Sequence, residues 1–106
     1  MAHFLFSANY TQAGLAGVMK NGAASRIKAL EASASSLGGK LEAMYWSFGK
    51  YDVILIVELP DNAAAAALST TVAITGAANI VTTVLLTAED VDKARTMHPT
   101  YQAPGG

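Results

Sequence analysis

Residues 46–58 read Trp46-Ser47-Phe48-Gly49-Lys50-Tyr51-Asp52-Val53-Ile54-Leu55-Ile56-Val57-Glu58, a corner followed by a strand that is apolar on both faces. Side chains alternate across a strand, so Val53, Leu55 and Val57 point opposite to Ile54 and Ile56, and both sets favour burial. Helices of the same chain can cover one face. The other face needs a second cover.

Outward from this segment the elements fall into order. Lys40–Phe48 reads as a strand, with Leu41, Ala43, Tyr45 and Ser47 opposed to Glu42, Met44, Trp46 and Phe48. Gly49-Lys50 is a turn of the length that joins antiparallel neighbours. The strand after it runs from Tyr51 to Leu59 and ends at Pro60, which has no amide to donate. Upstream, Phe4–Tyr10 is a short aromatic-rich strand, and Thr11 is an N-cap residue for the helical pattern that follows to Leu37. Ile27, Leu30, Ala34 and Leu37 share one face of that helix, while Arg26, Lys28 and Glu31 take the other. Gly14, Gly17 and Asn21-Gly22 weaken its first half, since each interior glycine costs about 1 kcal/mol against alanine. A short helical turn, a break near Asn21 and a main helix are therefore expected, closed by Gly38-Gly39.

Downstream, Asp61 caps a helix built on Ala63–Ala67 and Leu68 that ends near Gly76. Ile80–Leu86 is the fourth strand. Thr87-Ala88-Glu89-Asp90 has the form of a capping arrangement for a short helix to Met97, stopped by His98-Pro99. The order strand, helix, strand, strand, helix, strand is the ferredoxin-like split βαβ pattern, an α+β fold with helices on one face of a four-stranded antiparallel sheet. The bare face predicts a partner sheet packed on it, giving a dimeric α/β barrel. Residues 1–97 are expected to form this domain, with its short C-terminal helix, and residues 98–106 a tail.

Composition narrows the classes of function. The 106 residues are 52% hydrophobic and 14% charged, with a formal net charge of -1, so no basic excess exists to bind a phosphate backbone. Nucleic acid is not an expected partner. There is no cysteine, which removes disulfides, thiolate metal sites and thiol nucleophiles together. No secretory pattern opens the sequence, and its apolar runs fall short of the roughly 20 residues of a membrane span. A cytoplasmic protein without membrane contact is expected.

At Gly49-Lys50-Tyr51-Asp52 the chain resembles the GYD-domain family, named for its Gly-x-Tyr-Asp corner before an apolar strand. Asn9-Tyr10-Thr11, Leu37-Gly38-Gly39-Lys40-Leu41, Glu58-Leu59-Pro60-Asp61, Gly76-Ala77-Ala78-Asn79-Ile80 and Thr87-Ala88-Glu89-Asp90 resemble further steps of the family in the same order. The resemblance covers roughly residues 3 to 94. It departs at Tyr10, where a tryptophan is more usual, and in the alanine-heavy second helix. It implies a bacterial-style ferredoxin-like domain of the dimeric α/β barrel superfamily. That superfamily includes cofactor-independent monooxygenases, isomerases, decarboxylases, haem enzymes and ligand sensors, so fold analogy leaves the reaction open.

Few residues carry chemistry. Histidine is the usual side chain for proton transfer near neutral pH, so His3 and His98 are candidate general bases, or else an exposed strand end and an exposed helix end. Neither belongs to a metal-ligand pattern, and no metal or cofactor is expected. His3, Leu5, Ser7 and Asn9 share one face of the first strand. If Phe4, Phe6 and Ala8 pack on the helices, Ser7 and Asn9 enter the barrel interior as hydrogen-bonding groups for a ligand, or they bond backbone and water. Tyr45 joins them if its parity is the interior one; the other parity places Met44 and Trp46 there. Tyr51 is a candidate acid or base, but Tyr51 and Asp52 point to opposite faces, so Gly49, Tyr51 and Asp52 read as a structural corner. Glu58 reads as a solvated strand end.

Two functions fit. One is a homo-oligomer that binds a small apolar organic molecule between sheet and helices, as a cofactor-free enzyme acting by proton transfer. The other is a non-catalytic assembly or ligand-sensing module.

Overall fold

A computed structural model describes residues 1–106. The elements are β1 (Ala2–Tyr10), α1 (Gln12–Asn21), α2 (Ala23–Ser36), β2 (Lys40–Trp46), β3 (Val53–Leu59), α3 (Asn62–Ile74), β4 (Ala78–Leu85) and α4 (Ala88–Ala94). The strands form one sheet in the order β2-β3-β1-β4, and every neighbouring pair is antiparallel. This is the expected α+β, ferredoxin-like arrangement. The sheet is open, with β2 and β4 as its edges, so one chain alone does not close a barrel.

Register decides which residues meet. Phe4 lies opposite Val57, Phe6 opposite Leu55 and Ala8 opposite Val53. All six are buried, together with Leu59 on β3, Ala34 on α2 and Ala65 and Leu68 on α3. The core therefore lies between one sheet face and the helices, and the rings of Phe4 and Phe6 sit 6.4 Å apart within it. Ile54 and Ile56 point the other way and remain half-buried.

The helix expected to break near Asn21 does so. Gly22 takes φ 85° between α1 and α2, a left-handed conformation open to glycine. Gly38 and Gly39 close α2 in a Schellman motif. The Gly39 amide donates to the Ala34 carbonyl at 2.8 Å and the Gly38 amide to that of Ser35 at 3.0 Å.

Several details correct the sequence reading. The β2–β3 connection is not the two-residue turn Gly49-Lys50 but residues 47–52, because β2 stops at Trp46 and β3 starts at Val53. Strict alternation along β2 also fails. A bulge between Leu41 and Ala43 puts Leu41 on the helix side with Met44 and Trp46, opposite Val57, Leu55 and Val53, and leaves Ala43 and Tyr45 on the open side. One inserted residue flips the parity of everything beyond it. β1 begins at Ala2 rather than Phe4, β4 spans Ala78–Leu85 rather than Ile80–Leu86, and α4 ends at Ala94 rather than Met97.

Every residue from Leu86 to Gly106 is exposed. The Cα radius of gyration is 16.7 Å and the long axis 56 Å, against about 13 Å for a compact chain of this length. α4 and the residues after it thus project from the body. α4 is nonetheless well capped: the Thr87 hydroxyl accepts from the Asp90 amide at 3.1 Å and the Asp90 carboxylate from the Thr87 amide at 3.0 Å.

Leu59 is wholly buried at the end of β3. Leu59→Ala is expected to destabilise the fold by about 2–5 kcal/mol, read from the urea midpoint at unchanged slope.

Candidate functional site

The corner after β2 is built by hydrogen bonds to β1. The Asp52 amide donates to the Ala8 carbonyl at 2.9 Å, and the Asp52 carboxylate accepts from the Tyr10 amide at 2.8 Å. Asp52 thereby extends the β1–β3 ladder one step beyond Val53, with a side chain in place of a strand residue. Within the loop, the Ser47 hydroxyl donates to the Tyr51 carbonyl at 2.6 Å and the Ser47 amide to the Asp52 carbonyl at 3.0 Å. Phe48 takes φ 51°, a conformation rare for an aromatic residue, and its ring is exposed. Gly49 has open space around it and an ordinary φ, so no close approach explains the glycine there. The half-buried Tyr51 has the Lys50 ammonium 5.8 Å from its ring centre.

On the open sheet face, His3 Nδ1 lies 2.8 Å from Glu42 Oε1, the single ion pair of the chain when the ring is protonated. His3 also faces Glu58 across the ladder, and Glu58 faces Lys40. Ser7 is the one buried polar residue, on the central strand β1 between Ile54 of β3 and Val81 of β4. Asn9 pairs with Asn79, and Tyr45 is 72% exposed. His98 stands in the exposed segment after α4. His3 and Asn9 are six positions apart along β1, about 20 Å at strand rise. The candidate site residues are therefore distributed over the open face, the corner and the tail, without converging on one point.

Beside His3, at the end of the sheet, lies Asp90. Thr87, through its amide first and its hydroxyl second, holds the Asp90 carboxyl below the usual carboxylate range.

The concave site is on the other side of the sheet. A cavity of about 370 Å³ lies between the sheet and the helices, within the range of small-molecule sites. Its floor is Phe6, Ala8, Val53 and Leu55, its walls come from Val18 on α1, Leu30 on α2 and Leu68 and Val72 on α3, and fourteen of nineteen lining residues are hydrophobic. The polar groups gather where it meets solvent: Asn21 and Thr75 are exposed and Arg26 is half-buried. The Tyr10 ring also lines it, and its hydroxyl accepts from Trp46 Nε1 at 3.0 Å.

Two glycines of α1, one turn apart on the same face, shape this space. A Cβ on Gly14 would fall 1.9 Å from the Ala77 carbonyl oxygen, so α1 touches the α3–β4 connection there. Thr11 holds the same contact, its amide donating to the Ala77 carbonyl at 3.0 Å and its hydroxyl to that of Gly76 at 2.6 Å. A Cβ on Gly17 would meet nothing within 4 Å. Gly14 permits the approach and Gly17 leaves the room.

His3, Ser7, Asn9, Tyr45, Tyr51 and His98 do not line this cavity. Sequence reasoning passed over Arg26, Tyr10 and Asn21. The available signal was the Gly14-x-x-Gly17 spacing, which places both missing side chains on one helix face. The same spacing lowers helix propensity, and that second meaning masks the first.

The architecture defines a ferredoxin-like α+β domain with an apolar cavity on the helix side of its sheet. The GYD domain model matches residues 4–94 of the 106, and the chain belongs to the GYD-domain family. No curated protein and no solved structure matches it.

Asp52→Ala removes the acceptor of the Tyr10 amide. It is expected to destabilise the protein by about 1–3 kcal/mol, with Asp52→Asn less costly because one oxygen remains, both measured by urea unfolding.

Proposed function

We propose that this chain is a small-molecule-binding domain that holds an apolar organic ligand between its sheet and its helices, in a homodimer or larger homo-oligomer. The cavity carries the first part of this reading. Protein interiors are close-packed with few voids larger than a water, so an apolar space of about 370 Å³ in a chain this small needs a reason. An apolar enclosure with a few polar groups at its mouth is the usual construction of a ligand site.

Binding or sensing fits this space better than proton transfer. No His, Asp or Glu lines it, the residue types that most often serve as general bases. A reaction using His3, Tyr51 or His98 would need its substrate outside the cavity. A cytoplasmic setting agrees with the lack of cysteine.

The open sheet face supports the second part. Leu5, Ile54 and Ile56 occupy its middle, and the exposed Val81 and Tyr45 flank them. α1, α2 and α3 all contribute to the opposite side. Apolar sheet faces of this kind mark association surfaces, and a second copy of the same sheet would satisfy both at once.

Two measurements test the reading. The neutral fluorescent probe N-phenyl-1-naphthylamine should bind the wild type saturably. Gly17→Leu should abolish that binding while the thermal midpoint stays or rises, since leucine fills the space and removes a helix-interior glycine worth about 1 kcal/mol. Absence of probe binding to the wild type overturns the ligand assignment. For the partner, light scattering at micromolar concentration should return a dimer or larger species, and Ile54→Asp should shift it toward monomer; a stable wild-type monomer counts decisively against association.

A further inference from the structure

Arg26 is the one charged residue lining the cavity. It is half-buried, yet the only ion pair of the chain is His3–Glu42, and no hydrogen bond engages its guanidinium. Its helical neighbours three and four residues away are Ala23, Gly22, Ala29 and Leu30, so no i,i+3 or i,i+4 carboxylate neutralises it. A guanidinium at the mouth of an apolar space, partly stripped of water and without an internal anion, is complementary to an anionic oxygen group.

Tyr10 supplies a second donor. An indole N–H can only donate, so in the 3.0 Å bond from Trp46 Nε1 the Tyr10 hydroxyl is the acceptor. Its own proton has no acceptor within the protein. Trp46 thus holds the hydroxyl of this cavity-lining residue in place and leaves its O–H without an acceptor in the protein. The surroundings have the same sign: α2 begins at Gly22 with no side-chain cap and no acidic residue in its first turn, which leaves its positive end uncompensated close to Arg26.

We infer that the ligand of this cavity is an apolar acid, with a carboxylate held by Arg26 and the Tyr10 hydroxyl and an aliphatic or aromatic body against Phe6, Leu55 and Leu68. This rests on the ligand-binding reading above and names the class of molecule. Asn21 and Thr75 at the mouth offer further hydrogen bonds to the same head group.

The test compares acids with their neutral primary amides, which share the body and lack the charge. Decanoate and 2-naphthoate, each beside its amide, are titrated into the full chain by calorimetry and by the emission of Trp46, the single tryptophan. At least one acid should bind tighter than its amide by about tenfold or more, and which one shows whether the body is aliphatic or aromatic. Arg26→Met, which keeps the apolar stem, should erase the preference by lowering acid affinity far more than amide affinity. Arg26→Lys should retain part of it, and Tyr10→Phe should lower acid affinity more than amide affinity. The far-UV circular dichroism spectrum and thermal midpoint of Arg26→Met, compared with wild type, show that this variant is folded. Acids and amides binding wild type alike, with Arg26→Met altering neither, overturns the anion assignment while neutral-probe binding upholds the cavity. Failure of acids, amides and the neutral probe together removes the cavity reading and this inference with it.

Discussion

The pairing of β1 with β3 at the centre of the sheet is the constraint from which the remaining structure follows. Phe4 opposite Val57, Phe6 opposite Leu55 and Ala8 opposite Val53 place two strands' worth of buried side chains on one face. A slip of one residue would send all of them to the other side. With both strands interior, β2 and β4 can only add at the edges, and α1, α2 and α3 are drawn to the face where the phenylalanines lie. Asp52 finishes the ladder by taking the Tyr10 amide, so the corner and the end of β1 are held by one carboxylate. The same register presents Leu5, Ile54 and Ile56 outward.

The cavity is a consequence of what covers that core. α1 contributes glycines and α3 opens with a run of alanines. Both favour close approach or easy helix formation, and neither reaches far toward the sheet. Close contact at Gly14 and empty space at Gly17 then lie one helical turn apart. The α1–α2 break at Gly22 starts α2 afresh and brings Arg26 within its first turn, at the mouth of the space. Membership of the GYD-domain family accounts for the framework, and the chemistry of the cavity belongs to residues that the family corner does not include.

Much of the framework was legible because it rests on patterns that repeat along the chain. Alternation gave β3 its two apolar faces, Gly22 and Gly38-Gly39 marked helix ends through conformations that other residues resist, and Asp61 and Thr87 marked helix starts through their caps. Chemistry-bearing residue types drew attention to His3, Ser7, Asn9, Tyr45, Tyr51 and His98. None of these lines the cavity, because a cavity is defined by side chains that are small or missing, and absence has no periodicity.

From sequence alone came the order of the elements, the ferredoxin-like class, the break in the first helix and the two apolar faces of β3, since each is set by local dihedral preference or by alternation within a few residues. Only the tertiary structure decided that a bulge at Leu41–Ala43 turns Met44 and Trp46 toward the helices, that Asp52 reaches the amide of Tyr10, that Trp46 bonds the Tyr10 hydroxyl, and that Tyr10 and Arg26 line one cavity. The two bonds of Tyr10, to the Asp52 and Trp46 side chains, join residues 42 and 36 positions apart in the chain. Such distances are closed by strand register and helix packing, which no local pattern encodes.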